Sequence, residues 1–192
     1  MAQGSIIKKE LLLIGGSAGS LEAILQLLPA IQNEKGLAIV LVLHRRNSES
    51  LLPNLLSEKI AWPVKEAEEK ETILAGTVYI APADYHLLIE NDKTISLDYS
   101  EKVHYSRPSI DVTFESAAEV YGESLIAILL SGANQDGSVG LKKIKEAGGY
   151  VIVQDPTEAV VSYMPQYAID HVRVDAVLPV AKMPALIHEL LP

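Results

Sequence analysis

Three residue types suited to ester or amide hydrolysis, a serine, a histidine and an aspartate, each follow a predicted strand in this sequence. Ser17 lies in the sequence GGSAG at residues 15–19, between an apolar run and a segment of helical spacing. This matches the G-x-S-x-G turn that presents a nucleophilic serine, with free N–H groups of the next helix facing a developing oxyanion. The same backbone would equally hold a phosphate in a dinucleotide-binding turn, although Ser17 takes the place of the second glycine in G-x-G-x-x-G. Both interpretations of this segment stay open.

His44 follows seven consecutive apolar residues, 37–43, which predict a strand buried on both faces. A serine hydroxyl is a poor nucleophile unless a base within hydrogen-bond reach takes its proton, and imidazole is suited to that role. The dinucleotide interpretation instead favours an acidic residue here, or an arginine for a 2′-phosphate, and Arg45 and Arg46 fit the latter. We expect the remaining histidines to be structural or solvated: His86, His104, His171 and His188.

Two aspartates are candidates for the residue that orients His44. Asp136 lies in a Gly-rich loop between an apolar strand and a helix, and Asp155 follows the next predicted strand in the sequence QDP. Either carboxylate would hold the imidazole through its second nitrogen, as a catalytic triad requires. Each also has an ordinary interpretation, a helix N-cap for Asp136 and an Asp-Pro turn for Asp155. The backbone N–H groups of the Gly-rich loop favour Asp136 by a small margin.

The elements that must position these residues alternate between strands and helices. This alternation predicts an α/β fold with a doubly wound, mostly parallel sheet flanked by helices. Four short strand candidates follow one another closely between residues 63 and 98, and they predict a small antiparallel insert or edge. Ligands bind at the carboxyl ends of strands in such sheets, where the three candidates lie. We expect a single domain over residues 1–192, with residues 1–9 flexible.

Composition excludes several classes of function. Sixteen Lys and Arg against 25 Asp and Glu give a net charge of −9, which argues against nucleic-acid binding. Because the chain has no cysteine, disulfides, thiolate metal sites and a cysteine nucleophile are excluded. No paired-histidine spacing suggests a metal, so we expect no cofactor. No apolar run approaches the roughly 18 to 20 residues that span a bilayer, and we expect a cytoplasmic protein without membrane insertion.

The chain resembles the catalytic domain of the chemotaxis protein-glutamate methylesterases of the CheB type. Short matching stretches occur in the family's order and extend over nearly the whole chain. They are IGGSAG at 14–19, VLH at 42–44, VKEAE at 64–68, VYIAP at 78–82, RPSID at 107–111, LSG at 130–132, DG at 136–137 and MP at 164–165.

This resemblance implies a Ser-His-Asp hydrolase that removes methyl groups from glutamyl γ-esters on chemoreceptor helices and releases methanol. It also implies that such an enzyme can deamidate receptor glutamines. Ser17 would be the nucleophile, His44 the general base and Asp136 the orienting residue, so the resemblance chooses Asp136 over Asp155. It further implies oxyanion donors in the backbone N–H groups near Ala18 and Ala133, and a substrate contact at Arg107.

Four departures from the family's pattern accompany the resemblance. Ala18 replaces a hydroxyl residue after the nucleophile, Ser20 stands where glycine is common, Ala133-Asn134 replaces Met-Gly, and Ser106 stands where a basic residue often precedes Arg-Pro. These substitutions leave one alternative to the methylesterase hypothesis, a catalytically weak or inactive signalling module of the same fold. The glycine-rich turn at 15–19 together with Arg45 and Arg46 leaves another, an NADP-binding domain.

The family commonly carries an N-terminal receiver domain that is phosphorylated. About ten residues precede the first predicted strand here, so we expect a stand-alone catalytic domain without an attached receiver. Its activity would then be constitutive or controlled by a separate regulatory protein.

Overall fold

A computed structural model of the chain describes residues 7–31, 36–45 and 51–191. The strands in these ranges are β1 Leu11–Gly16, β2 Ala38–Leu43, β3 Val64–Glu66, β4 Val78–Ile80, β5 His86–Ile89, β6 Ile95–Asp98, β7 Leu125–Leu129, β8 Tyr150–Gln154 and β9 Ala176–Leu178. The α-helices are α1 Ser20–Leu27, α2 Leu52–Ser57, α3 Ile110–Tyr121, α4 Ser138–Glu146, α5 Tyr163–His171 and α6 Met183–Leu190.

Seven of the strands form one parallel sheet in the order β3-β4-β2-β1-β7-β8-β9. From β1 the chain first fills one side of the sheet with β2, β3 and β4, and then the other side with β7, β8 and β9. The strand order therefore reverses beside β1. The loops that follow β1, β2 and β7 meet at this reversal, which is where open parallel sheets bind ligands.

Both faces of the sheet are covered, which explains why its central strands are continuous apolar runs. Successive side chains of a strand point to opposite faces. Leu11 and Leu13 of β1 accordingly pack in the core formed with α3, α4 and α5, whereas Leu12 and Ile14 pack in the core formed with α1 and α6. This arrangement confirms the predicted doubly wound fold.

The antiparallel part of the fold is smaller than the sequence predicts. Only β5 and β6 of the four strand candidates between residues 63 and 98 pair antiparallel. The other two, β3 and β4, join the parallel sheet, with β4 between β2 and β3. The connection 67–77 is long enough to return the chain in the same direction, and β4 then buries all three of its residues. The small antiparallel insert is therefore confirmed, but it is confined to β5 and β6, because β3 and β4 extend the edge of the parallel sheet.

Across the three described ranges, none of the helices is both long enough and apolar enough to cross a bilayer.

Candidate active site

A tight turn after β1 presents Ser17. β1 ends at Gly16 and α1 begins at Ser20, so three residues make the reversal. Gly19 has a φ of 79°, and a Cβ there would lie 2.4 Å from the Cβ of Val160, so both conformation and space require glycine. The Ser17 N–H donates to the Ser131 carbonyl at 2.9 Å, which ties the turn to the end of β7. The Ser17 side chain remains partly exposed.

His44 lies beside this turn because β2 pairs directly with β1. Gly16 and Leu43 are register partners, and the His44 N–H donates to the Gly16 carbonyl at 3.2 Å. Ser17 and His44 are therefore the next positions on strands that run roughly 4.8 Å apart. Among the described residues the Ser17 hydroxyl has no hydrogen-bond partner. Catalytic hydrogen bonds of this kind often tighten only when substrate binds.

The carboxylate of Asp136 is fully buried and accepts five hydrogen bonds. Oδ2 accepts from Nε2 of His44 and from the Ile110 N–H, both at 2.7 Å. Oδ1 accepts from Ser109 Oγ at 2.8 Å, the Asp111 N–H at 3.0 Å and the Gly137 N–H at 3.1 Å. Two of these donors are first-turn amides of α3, so the carboxylate sits at the positive end of that helix.

These donors keep Asp136 ionised. Burial by itself raises the pKa of Asp136, but hydrogen bonds from His44 and from the Asp111 and Ile110 amides outweigh burial, so the pKa lies below its ordinary 3.8. An ionised carboxylate only accepts hydrogen bonds, so Nε2 of His44 carries the ring proton. Nδ1 of His44 is then the unprotonated nitrogen that remains for a hydroxyl.

The two aspartate candidates occupy different surroundings. Asp155 Oδ1 accepts from the Thr157 N–H at 2.9 Å and from the Thr157 hydroxyl at 2.7 Å, which fits its interpretation as an Asp-Pro turn. Asp136 does not cap the helix that follows it, since Gly137 is the N-cap of α4. It binds the beginning of α3 instead, and the structure brings it rather than Asp155 to His44.

Two backbone N–H groups beside Ser17 are available to an oxyanion. Ala18 and Ala133 are both exposed, and within the described ranges their N–H groups have no hydrogen-bond partner. The neighbouring Gly132 N–H is already bonded, to the Val161 carbonyl at 3.1 Å. A Cβ on Gly132 would lie 3.0 Å from the Cβ of Ser17, so the loops after β1 and β7 touch at this point.

A cleft of about 360 Å³ opens beside His44 and includes Arg107 in its wall. The guanidinium carbon of Arg107 lies 3.8 Å from the centre of the Tyr99 ring. Its Nη1 donates to the Tyr99 and Ser100 carbonyls, at 3.1 and 2.6 Å. These contacts hold Arg107 in one place, while its Nη2 has no partner in the part of the chain that the structure describes.

The arginines that would suit a 2′-phosphate give the dinucleotide interpretation no support. Arg45 Nη2 donates to the Glu66 carboxylate and, at 3.1 Å, to the Ala81 carbonyl. Arg46 lies outside the described residues.

His104 has contacts that the sequence does not reveal. Its Nε2 lies 3.2 Å from Oδ2 of Asp111, and its carbonyl accepts from Asn134 Nδ2 at 3.3 Å. His104 therefore fastens the loop before Arg107 to the loop that carries Asp136. The expectation of a structural or solvated histidine is compatible with this, but no sequence pattern indicated the contact.

Three ligand atoms, one each from His104, Asp111 and Asp136, lie within 4.8 Å of one another, a spacing at which they could hold a cation. Asp136 already accepts five hydrogen bonds, and Asp111 Oδ1 accepts the Gly140 N–H at 2.8 Å. Burial raises the pKa of Asp111 to about 6, and the nearby Asp136 charge adds to this, although the Gly140 hydrogen bond opposes it. The carboxylate oxygens of this cluster are thus already bonded to N–H and O–H groups of the protein.

Comparison with known proteins points to one family. The family model described as CheB methylesterase matches residues 12–187. A putative protein-glutamate methylesterase/protein-glutamine glutaminase of Leptospira interrogans is 48% identical over 92% of this chain and 92% of its own length. A protein-glutamate methylesterase/protein-glutamine glutaminase of Thermotoga maritima is 36% identical over 96% of this chain, which spans 55% of that relative.

The fold has a solved counterpart. The crystal structure of the Thermotoga maritima CheB methylesterase catalytic domain matches with a TM-score of 0.91 and 35% identity, over 96% of this chain and 100% of that one. The sequence resemblance to this catalytic domain is confirmed, and so is the predicted fold class.

Proposed function

The chain belongs to the CheB methylesterase family, and we propose that it hydrolyses glutamyl γ-methyl esters on chemoreceptor proteins through Ser17, His44 and Asp136. One observation carries the proposal: Nε2 of His44 lies 2.7 Å from a buried carboxylate oxygen of Asp136, and His44 stands directly beside Ser17 at the ends of paired strands. The relatives' names support the substrate, since they are called protein-glutamate methylesterases and protein-glutamine glutaminases.

Acylation begins when Oγ of Ser17 attacks the ester carbonyl carbon while its proton passes to Nδ1 of His44. The electron pair of the C=O double bond moves to the carbonyl oxygen, where the Ala18 and Ala133 N–H groups stabilise the negative charge. This pair then re-forms the double bond as the C–OCH₃ bond breaks. The departing methoxide oxygen takes the proton from His44, and methanol leaves an acyl-enzyme on Ser17.

Deacylation repeats these steps with water as the nucleophile. His44 takes a proton from water, the hydroxide adds to the acyl carbon, and Ser17 leaves with that proton. The products are a glutamate side chain and regenerated enzyme. A glutamine side chain would react in the same way with ammonia as the leaving group, which accounts for deamidation as a second activity.

Asp136 supports each proton transfer through its charge. When His44 becomes an imidazolium, the adjacent carboxylate stabilises the positive charge and keeps the ring oriented. Because Asp136 is ionised and held by α3, it supplies this stabilisation without rearrangement of the site.

The cleft beside His44 is where we place the protein substrate. Arg107 is the proposed substrate contact, with its free Nη2 directed at a polar group of the substrate. With this function we place the protein in the cytoplasm, with receptor helices as its partner.

Release of methanol from methylated receptor signalling domains tests the function. We expect Ser17→Ala to lower the rate by roughly four to six orders of magnitude, since the nucleophile is lost. Ser57→Ala, which changes an exposed serine on α2, is the matched control and should retain the parent rate. Undiminished methanol release from Ser17→Ala would refute the assignment.

The inactive-module alternative rests on the Ser17 hydroxyl, which has no partner among the described residues, and on the alanines at 18 and 133. Labelling with a serine-directed fluorophosphonate distinguishes an active methylesterase from an inactive module. An active site should be labelled on Ser17, whereas an inactive one should not react in the parent protein.

A further inference from the structure

Two buried hydroxyl groups hold the turn that carries the nucleophile. Ser20 Oγ donates to the Ser17 carbonyl at 2.7 Å, and the Ser20 N–H donates to the same oxygen at 3.1 Å. Ser131 Oγ donates to the Ala18 carbonyl at 2.6 Å. Ser20 is 2% exposed and Ser131 is fully buried, so water does not compete for these bonds.

The bond from Ser20 determines where the Ala18 N–H points. The carbonyl of Ser17 and the N–H of Ala18 belong to one planar, trans peptide group, in which they point in opposite directions. Since the carbonyl is held toward the first turn of α1, the N–H is directed away from it. A carbonyl that accepts two hydrogen bonds is also more polarised, which makes the N–H of the same group a stronger donor.

Close packing fixes the position of the Ser20 side chain. A Cβ on Gly16 would lie 2.5 Å from the Cβ of Ser20 and 2.7 Å from its Oγ. The end of β1 therefore has to be glycine for Ser20 to occupy this place. Its hydroxyl is confined between the strand and the turn.

Ser138 provides an internal comparison. It begins α4 as Ser20 begins α1, each helix follows a glycine in the left-handed conformation, and Ser138 is also buried. Yet the Ser138 hydroxyl has no hydrogen-bond partner within the described residues. Burial at the start of a helix thus does not by itself produce a bond such as that of Ser20.

We propose that Ser20 is a positioning residue that aims the Ala18 N–H at the developing oxyanion. This inference rests on the proposed function, because it assigns the Ala18 N–H to the tetrahedral intermediate. Ser20 touches neither substrate nor the reacting atoms and acts through the Ser17–Ala18 peptide group.

Steady-state kinetics of Ser20→Ala and its rate of fluorophosphonate labelling test the inference. Complete loss of an oxyanion donor costs roughly 100- to 1,000-fold in kcat, and Ser20→Ala leaves the donor present but less fixed, so we expect a loss of about 5- to 20-fold. KM should stay unchanged, since the ground-state ester does not depend on this N–H. Labelling should slow by a similar factor. Ser138→Ala should match the parent in both measurements.

Ser20→Cys keeps a donor at this position, but the thiol is larger and donates more weakly, so its kcat and labelling rate should fall between those of the parent and of Ser20→Ala. It carries the test if Ser20→Ala does not fold. A kcat and labelling rate within about twofold of the parent, or a change confined to KM, would overturn the inference. If the parent is labelled but releases no methanol, the proposed substrate is wrong and labelling rates still decide the role of Ser20. If the parent does neither, both proposals fail.

Discussion

The backbone N–H of Ile110 donates to Oδ2 of Asp136 at 2.7 Å, and the same oxygen accepts a hydrogen bond from Nε2 of His44 at 2.7 Å. The beginning of α3 thus shares one carboxylate oxygen with the proposed general base. The positive end of the helix favours the ionised form of Asp136, and that charge stabilises the helix in return. The site and the fold depend on the same group.

Asp136→Asn should impair both activity and stability. The amide has the size of the carboxylate, but one of its two ends donates rather than accepts, so buried donors lose their partner. We expect a loss of roughly 10⁴-fold in kcat, as for loss of the orienting charge in a triad, and a fall of about 2–4 kcal/mol in the free energy of unfolding. Methanol release and urea unfolding measure the two effects.

Asp155→Asn is the control for this change, because asparagine retains the acceptor for Thr157 and should match the parent in both measurements. Parental activity of Asp136→Asn would contradict the proposed role of Asp136.

Asp111 should make the protein less stable as pH rises. The pKa of Asp111 is raised to about 6 in the folded protein against 3.8 for an ordinary aspartate, with burial as the main cause. Between these values the folded state binds more protons than the unfolded state, so the free energy of unfolding falls as pH rises from about 4 to 6. The loss from this group is on the order of 3 kcal/mol and persists at higher pH.

Urea unfolding of the parent and of Asp111→Asn at pH 4.5 and pH 7 tests this expectation. The free energy of unfolding of each protein changes between the two pH values. The difference between these two changes is the contribution of Asp111, because the other titrating groups are common to both proteins. Asparagine has no titration, so Asp111→Asn should lose less stability than the parent between these pH values. An equal change in both proteins would contradict the prediction.

Gly132→Ala should lower activity more than stability. Its Cβ would lie 2.5 Å from the Cε of Met164, which can move, but also 3.0 Å from the Cβ of Ser17. A displaced nucleophile should cost at least about 10-fold in kcat, because misplacement of about 1 Å can cost 100-fold. The free energy of unfolding should fall by roughly 1 kcal/mol.

Gly140→Ala is the comparison variant, in which the added methyl group meets the core rather than Ser17. Its Cβ would lie 2.4 Å from the Cβ of Phe114 and 3.1 Å from the Asp111 backbone oxygen, neither of which moves easily. Stability should therefore fall further than for Gly132→Ala. If Gly132→Ala loses stability as much as Gly140→Ala and keeps its kcat, the predicted contact with Ser17 has no catalytic effect.

Arg107→Ala should weaken binding of the protein substrate. The change removes a fixed cation from the cleft and the contact with Tyr99 that holds it. We expect KM for methylated receptor to rise about 10-fold, which is the loss of roughly one charge-assisted hydrogen bond. The rate of fluorophosphonate labelling should stay near that of the parent, because the reagent lacks the polar receptor group that Arg107 is proposed to bind.

Arg173→Ala, which changes an exposed arginine, should leave KM unchanged. An unchanged KM in Arg107→Ala as well would remove Arg107 from the proposed substrate contacts.

The sequence predicts the central sheet well because its strands are buried on both faces. Such strands consist of continuous apolar residues, and residues 37–43 predict β2 on this basis. The apolar stretches that correspond to β1, β7 and β8 are likewise predicted as strands of the alternating fold. β3 and β4 are short and stand close together in the sequence, which favours a hairpin. Their parallel pairing depends on the burial of β4 beside β2, a long-range contact that local spacing does not encode.

The sequence also predicts only part of the candidate site. The positions of Ser17, His44 and Asp136 after strands follow from the pattern of the sheet, and their roles remain a prediction. The contacts of His104 and Ser20 depend on loop geometry instead. His104 and Tyr105 both have positive φ values, 47° and 63°, which few side chains adopt and no sequence pattern here indicates.

The backbone bonds that join the ends of β2, β1 and β7 connect the proposed catalytic residues Ser17 and His44 to the pairing of the central strands. His44 bonds to Gly16, and Ser17 bonds to Ser131, through main-chain atoms. Catalytic turnover should consequently be lost whenever these central strands separate. In denaturant, the loss of turnover and the loss of far-ultraviolet circular dichroism should follow one curve, since a partly separated sheet would have no assembled site.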